Sequence, residues 1–130
     1  MSDETMFAED PFTAEMRGHL IWVTWAPCMR VTEYEALRLA EHTHTLCPDL
    51  RAPMLVILND MVSVSRGALK TFSHELNIAA VALTGPSAVD RFMSQYFTEV
   101  HHPPYPARHF DHVDEARSWL TTNPHAGQLV

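Results

Sequence analysis

Two short polar segments carry most of the chemistry available to this chain. The first is Asn59-Asp60 with Ser63, Ser65 and Arg66; the second is Thr84-Gly85 with Ser87 and Arg91. Each follows an apolar run and leads into a helical pattern. A helix N-terminus presents unpaired N–H groups and a partial positive charge, so it attracts anions. Hydroxyls at Ser63, Ser65, Thr84 and Ser87 add donors, and the guanidiniums of Arg66 and Arg91 add charge-assisted contacts. The chemistry implied is capture of an anionic ligand. The same residues also have a purely structural use. Serine is a common N-cap, and Asp60 suits a turn.

Other residue types offer less. Nine histidines include the pairs His42/His44, His101/His102 and His109/His112. His42 and His44 lie about 200° apart around a helix, and His109 and His112 straddle a strand end, so neither pair converges on a metal. Cys28 and Cys47 form no CxxC motif. Ser63, Ser65, Ser87 and Cys28 are conceivable nucleophiles, yet no G-x-S-x-G elbow or Cys/His context accompanies them. Pro103-Pro104-Tyr105-Pro106 matches P-x-x-P, but it joins a helix to a strand and reads as a rigid connector. Trp22, Trp25, Phe92, Met93, Tyr96, Phe97 and Trp119 read as core. The expectation is no metal, no cofactor and no catalytic residue.

The elements that must position the two segments follow from hydrophobic pattern. Met54 to Leu58 is an unbroken apolar run that ends at Asn59-Asp60. Continuous apolarity suits a strand buried on both faces, so this is the expected central strand of a parallel sheet. Ligands of open α/β sheets bind at the carboxyl ends of such strands. Ile78 to Leu83 is a second inner strand. Phe12–Arg17 and His19–Trp25, joined at Gly18, form an antiparallel hairpin. Thr32 and Glu35 make a capping box, opening a helix with Tyr34, Leu37, Ala40 and Cys47 at helical spacing and a stop at Pro48. A second helix covers Arg66 to His74, facing the core with Leu69, Phe72 and Leu76. Ser87 opens a third, where Val89, Phe92, Met93, Tyr96, Phe97 and Val100 make an apolar stripe. A short strand at Ala107–Phe110 precedes a last helix, capped by Asp111 or Asp114, with Ala116, Trp119 and Leu120 inward.

Composition sets outer limits. The 130 residues suit one domain, with 46% hydrophobic content. A net charge of −7 disfavours nucleic acid. No apolar run reaches the roughly 18 residues of a membrane span. The acidic start is unlike a signal peptide, and two reduced thiols fit a cytoplasmic setting. The expected organisation is an acidic tail over 1–11, one domain over 12–122 and a polar tail over 123–130.

The hairpin, the Pro53–Asp60 strand, and Ala107-Arg108-His109-Phe110 with the following Ala116, Trp119 and Leu120 resemble the STAS/SpoIIAA-like superfamily. The likeness is to its small bacterial members of STAS/SEC14-like type and spans about residues 20–120. It implies an α/β fold: a mixed sheet of about five strands, mostly parallel, flanked by four helices. It also implies a regulatory or ligand-binding role. In the anti-sigma-factor-antagonist branch a serine opening the helix after the central strand is phosphorylated within Asp-Ser-Ser-Gly. Here the segment is Ser63-Val64-Ser65-Arg66-Gly67, with Ser65 at the corresponding place and the aspartate and serine pair absent.

The functional expectation is a non-catalytic cytoplasmic regulatory or protein-interaction module. A small apolar or anionic ligand-binding protein is the alternative, and a hydrolase the third reading. Homodimerisation through an edge strand or the flank of the third helix is a further expectation.

Overall fold

The computed structural model describes residues 11–48 and 51–122. The acidic residues Asp3, Glu4, Glu9 and Asp10 and the 123–130 segment lie outside the described residues. Strands β1 (Phe12–Arg17) and β2 (Leu20–Trp25) form the antiparallel hairpin, turning at Gly18 with φ +62°. β3 (Arg30–Val31) leads into α1 (Glu33–Leu46). β4 (Met54–Ile57), β5 (Ser63–Val64) and α2 (Arg66–Glu75) follow. Then come β6 (Val81–Thr84), α3 (Ala88–Tyr96), a π-helical turn (Phe97–His101), β7 (Ala107–Phe110) and α4 (Val113–Thr122).

The main sheet runs β1-β2-β4-β6-β7, antiparallel only between β1 and β2. β4 is its middle strand. Met54 and Leu55 have no exposed surface, as continuous apolarity requires of a strand covered on both sides. One face packs Ile21, Val23, Trp25, Met54, Val56 and Val81 against α1, α2 and Phe97 of the π turn. The other packs Leu20, Leu55, Ala80 and Ala82 under Ala116 and Leu120 of α4. Side chains alternate between the two faces along β2 and β4, as strand geometry dictates.

Several boundaries and orientations differ from expectation. The second inner strand is Val81–Thr84, and Ile78–Ala80 precede it as a buried approach segment. A two-stranded parallel pair, β3 with β5, is additional. α4 begins at Val113, after His112, and neither Asp111 nor Asp114 caps it; Asp111 turns to Arg91 instead. On α1 the buried positions are Ala36, Leu39 and Thr43, while Tyr34 and Leu37 are exposed.

The largest correction concerns α3. Of its stripe, Val89, Phe92, Tyr96 and Val100 face outward, with Phe92 65% and Val100 54% exposed, while Phe97 is buried as expected and Met93 borders the core. Beside Phe97 the inward side carries Asp90 and Ser94, each 1% exposed. Periodicity identifies an amphipathic helix but not which stripe turns inward. Here an inward carboxylate with specific partners determines the facing.

Candidate functional site

Parallel pairing puts the carboxyl ends of β2, β4 and β6 at one edge of the sheet. The loops after these strands meet there and are locked together by hydrogen bonds. The Cys28 N–H donates to the Asn59 carbonyl at 3.2 Å, and Asn59 Nδ2 donates to the Trp25 carbonyl at 3.1 Å. Asn59 and Asp60 both hold left-handed backbone, φ 61° and 60°. Asparagine and aspartate tolerate this region better than other non-glycine residues.

Asp90 is the centre of the edge. It lies in the first turn of α3, yet its carboxylate reaches back to the β4 loop. Oδ2 accepts the Asp60 N–H at 3.1 Å and Oδ1 accepts the Met61 N–H at 3.0 Å. The Asp90 N–H in turn donates to Ser87 Oγ at 3.0 Å, and Ser94 Oγ donates to the Asp90 carbonyl at 2.8 Å. Gly85 is required beside it: a Cβ there would overlap the Asp90 side chain.

The other residues of the two segments sit at this edge with structural partners. Ser65 caps α2, its Oγ accepting the Ala68 N–H at 3.0 Å. Thr84 is buried, and its hydroxyl donates to the Val56 carbonyl at 2.8 Å. The Gly85 carbonyl accepts from His109 Nε2 at 2.8 Å, which defines the protonated nitrogen of that ring. Ser63 lies in β5 opposite Arg30. Arg91 is half-exposed, 3.2 Å from the Pro86 carbonyl and 3.4 Å from Asp111 Oδ1. Arg66 is exposed at the start of α2. Among the described residues, every buried side-chain polar atom has a hydrogen-bond partner. Sequence reasoning missed Asp90. No sequence signal marks it, because its carboxylate partners, Asp60 and Met61, lie 30 and 29 residues upstream.

Three hollows adjoin this region. An apolar gap of about 60 Å³ lies inside the core between Trp25, Met54, Val56, Leu69, Phe72 and Phe97. Ligand pockets for drug-sized molecules run to about 300–1,000 Å³, so this gap is far short of one. An open groove of about 300 Å³ runs between α2 and α3, lined by Val64, Arg66, Leu69, Phe92, Met93 and Tyr96. A polar trough of about 490 Å³ follows β7, with Arg91, Arg108, His109 and Asp111 along it.

Two histidines make structural contacts. The His42 ring meets Phe12 edge-on at 5.2 Å, and His109 holds the Gly85 carbonyl. Among the described residues no three His, Cys, Asp or Glu side chains gather as a metal site. Cys28 is exposed and Cys47 is partly buried. Tyr105 of the proline-rich connector is buried, its hydroxyl donating to the Phe72 carbonyl at 2.7 Å, and burial pushes its ionisation upward. Among the described residues no helix is long and apolar enough to cross a membrane.

Residues 14–123 match the family model described as a domain of unknown function, DUF7793. The chain belongs to DUF7793. This DUF7793 chain is similar in fold to the crystal structure of an uncharacterized protein of the DUF3478 family, with a SpoIIAA-like fold, from Shewanella loihica PV-4. The TM-score is 0.58 at 11% identity, covering 83% of this chain and 90% of that one. The DUF7793 chain thus has a SpoIIAA-like α/β fold, as its hairpin and central strand implied. A protein with unknown function from Arthrobacter sp. FB24 is 30% identical, over 85% of this chain and 100% of that one, with a TM-score of 0.34. No curated protein matches.

Proposed function

We propose that this chain is a non-catalytic protein-interaction module whose docking face is the outer side of α3. The observation that carries the reading is the inverted burial of that helix. Val89, Phe92, Tyr96 and Val100 are exposed while Asp90 and Ser94 are buried. Contiguous exposed apolar surface on a small domain marks an interaction site. Its make-up, two aromatic rings 6.3 Å apart with Arg66 beside them, matches the residue types that dominate protein interfaces. The buried clamp at Asp90 fixes this face relative to the sheet edge. The small interior gap favours this reading over an apolar-ligand protein.

A photo-crosslinking residue placed at Phe92 in the native cell tests it. A discrete protein adduct is expected there, lost on Val89→Asp and absent from the same label at exposed Arg117 on α4. No adduct at Phe92 removes the proposal.

Ser65 supplies a regulatory reading of the same surface. Its neighbours Val64 and Arg66 both line the groove beside α3. A phosphate on Ser65 would place charge at a helix N-terminus, which favours it, and beside the docking groove, where it alters partner choice. Asn59, Asp60, Ser63, Thr84, Gly85, Ser87 and Arg91 belong in this reading as the edge that holds both helix starts. Intact-mass measurement on protein from its own cells under varied growth conditions tests the switch. A single unmodified mass throughout eliminates it.

A further inference from the structure

The main sheet ends at β7, and the outer edge of that strand is open. In a parallel ladder, alternate residues of a strand bond the neighbour on one side. The carbonyls of Pro106 and Phe110 accept the Val81 and Gly85 N–H groups at 2.9 and 3.3 Å, so Pro106, Arg108 and Phe110 serve β6. The backbone N–H and C=O groups of Ala107 and His109 therefore point away from the sheet, about 7 Å apart along the strand. Among the described residues, none bonds these outward groups. Pro106 belongs to the inward set, so its missing N–H does not block the outer edge.

This edge is also walled. The trough of about 490 Å³ along β7 has Arg91, Gln95 and Thr98 on one side, from α3 and its π turn, and Glu115 of α4 on the other. A slot with a strand edge at its base and a helix on either side fits one extended chain. Its charges are unequally matched. Asp111, at the carboxyl end, lies 3.4 Å from Arg91 and 4.0 Å from His109 Nδ1. Arg108, in mid-strand, is exposed over the Phe110 ring at 5.1 Å, with no carboxylate at ion-pair distance among the described residues.

We propose that β7 is a second docking edge, taking an extended peptide of a partner protein as a sixth strand, with a carboxylate opposite Arg108. The outward groups of Ala107 and His109 supply the backbone bonds, and Arg108 selects the acid by a cross-strand pair. The site does not rest on the α3 face, since none of Val89, Phe92, Tyr96 and Val100 lines the trough.

A phage-displayed library of random seven-residue peptides, panned on the full chain, supplies the probe. Enriched sequences are expected to share an aspartate or glutamate at one fixed position in a strand-forming context. The leading peptide, synthesised with both ends blocked, is expected to slow amide exchange at Ala107 and His109 by about tenfold or more. The Arg108 and Phe110 amides, already turned to β6, should change little. Ala107→Pro removes only an outward donor, which an edge strand tolerates. It is expected to keep the wild-type melting curve and to lose the peptide. Arg108→Glu is expected to weaken the acidic peptide about tenfold and to favour a version with lysine at the acidic position.

No enrichment overturns the proposal, as does peptide binding that survives Ala107→Pro or leaves exchange at both amides unchanged. Binding lost on Phe92→Asp instead moves the peptide to the α3 face and overturns the β7 site. Wild-type oligomers that vanish with Ala107→Pro give the edge to another copy's strand, which overturns the peptide partner. Should Ala107→Pro unfold, the exchange measurement on wild type decides alone. The crosslink at Phe92 is indifferent to every one of these outcomes, so the two docking surfaces stand or fall separately.

Discussion

The carboxylate of Asp90 accepts the backbone N–H of Asp60 at 3.1 Å. One acid thus holds another in left-handed backbone, across the gap between α3 and the central strand. With the Met61 N–H as second donor, this clamp joins two adjacent strand ends and turns the apolar stripe of α3 outward. Asp90→Asn keeps the shape but turns one acceptor into a donor facing an N–H. The expected loss is about 2 kcal/mol or more, since hydrogen bonds to charged groups contribute about 1.5–3 kcal/mol. Urea unfolding of the variant reads it; an unchanged midpoint would show that the clamp contributes nothing.

Gly85 and Asp90 are predicted to be coupled. Gly85→Ala puts a methyl group into the Asp90 side chain, an overpacking that costs about 1–3 kcal/mol. With Asp90→Gly, which removes the Cβ as well as the carboxylate, the obstruction is gone. The double variant should therefore lose clearly less stability than the sum of the single losses. Strict additivity in a double-mutant cycle would mean that glycine is kept there for another reason.

The two left-handed residues should respond oppositely to glycine. Asp60 is exposed, and its side chain has no role in the lock, so Asp60→Gly relieves backbone strain and should raise stability by up to about 1 kcal/mol. Asn59→Gly gains the same relief but loses the bond from Nδ2 to the Trp25 carbonyl, and the two effects should nearly offset. Thermal melts of both variants, ranked against wild type, check the order Asp60→Gly above Asn59→Gly.

Much of this architecture was legible in the chain. Met54–Leu58 announced a strand covered on both faces because no position in it tolerates water. Gly18 between two β-rich runs announced the hairpin. The facing of α3 was not legible. Its apolar positions recur with helical period, and so do its polar ones at Asp90 and Ser94. Only the partners of Asp90, thirty residues upstream, decide between them. β3 and β5 escaped because two residues are too few for alternation to show. Of the polar edge, its location followed from strand direction. The engagement of Ser65, Thr84 and Ser87 with local backbone depends on distances that sequence does not encode.

The capping box of α1 predicts a pH effect. Burial alone would raise the carboxyl of Glu35. Hydrogen bonds from the Thr32 hydroxyl, the Thr32 N–H and its own N–H outweigh that and bring it below its ordinary value. A carboxyl lowered by folding contributes stability above its unfolded value, and that contribution disappears as pH falls through the folded one. Glu35→Gln should be less stable than wild type at neutral pH by about 0.5–1 kcal/mol, and equal to it once both are fully acidified. A gap that persists at acid pH would contradict the assignment.

Inverted burial on α3 predicts inverted tolerance. Phe92→Ser should leave the melting temperature of a monomeric preparation unchanged, because that ring is solvent-facing. Ser94→Leu should be destabilising, since the position is buried and its hydroxyl bonds the Asp90 carbonyl. The reverse ranking would place the stripe in the core after all.

The π turn that ends α3 gives the helix one residue more than α-helical winding needs, downstream of the anchor at Asp90 and Ser94. Removing a single residue within Phe97–His101 therefore tightens the winding without disturbing the upstream lock. The cost falls on phase: Val100 swings out of line with Phe92, and Phe97 and Tyr105 are re-aimed. This short segment is where the chain can gain or lose length and thereby retune its outward surface while the sheet stays as it is.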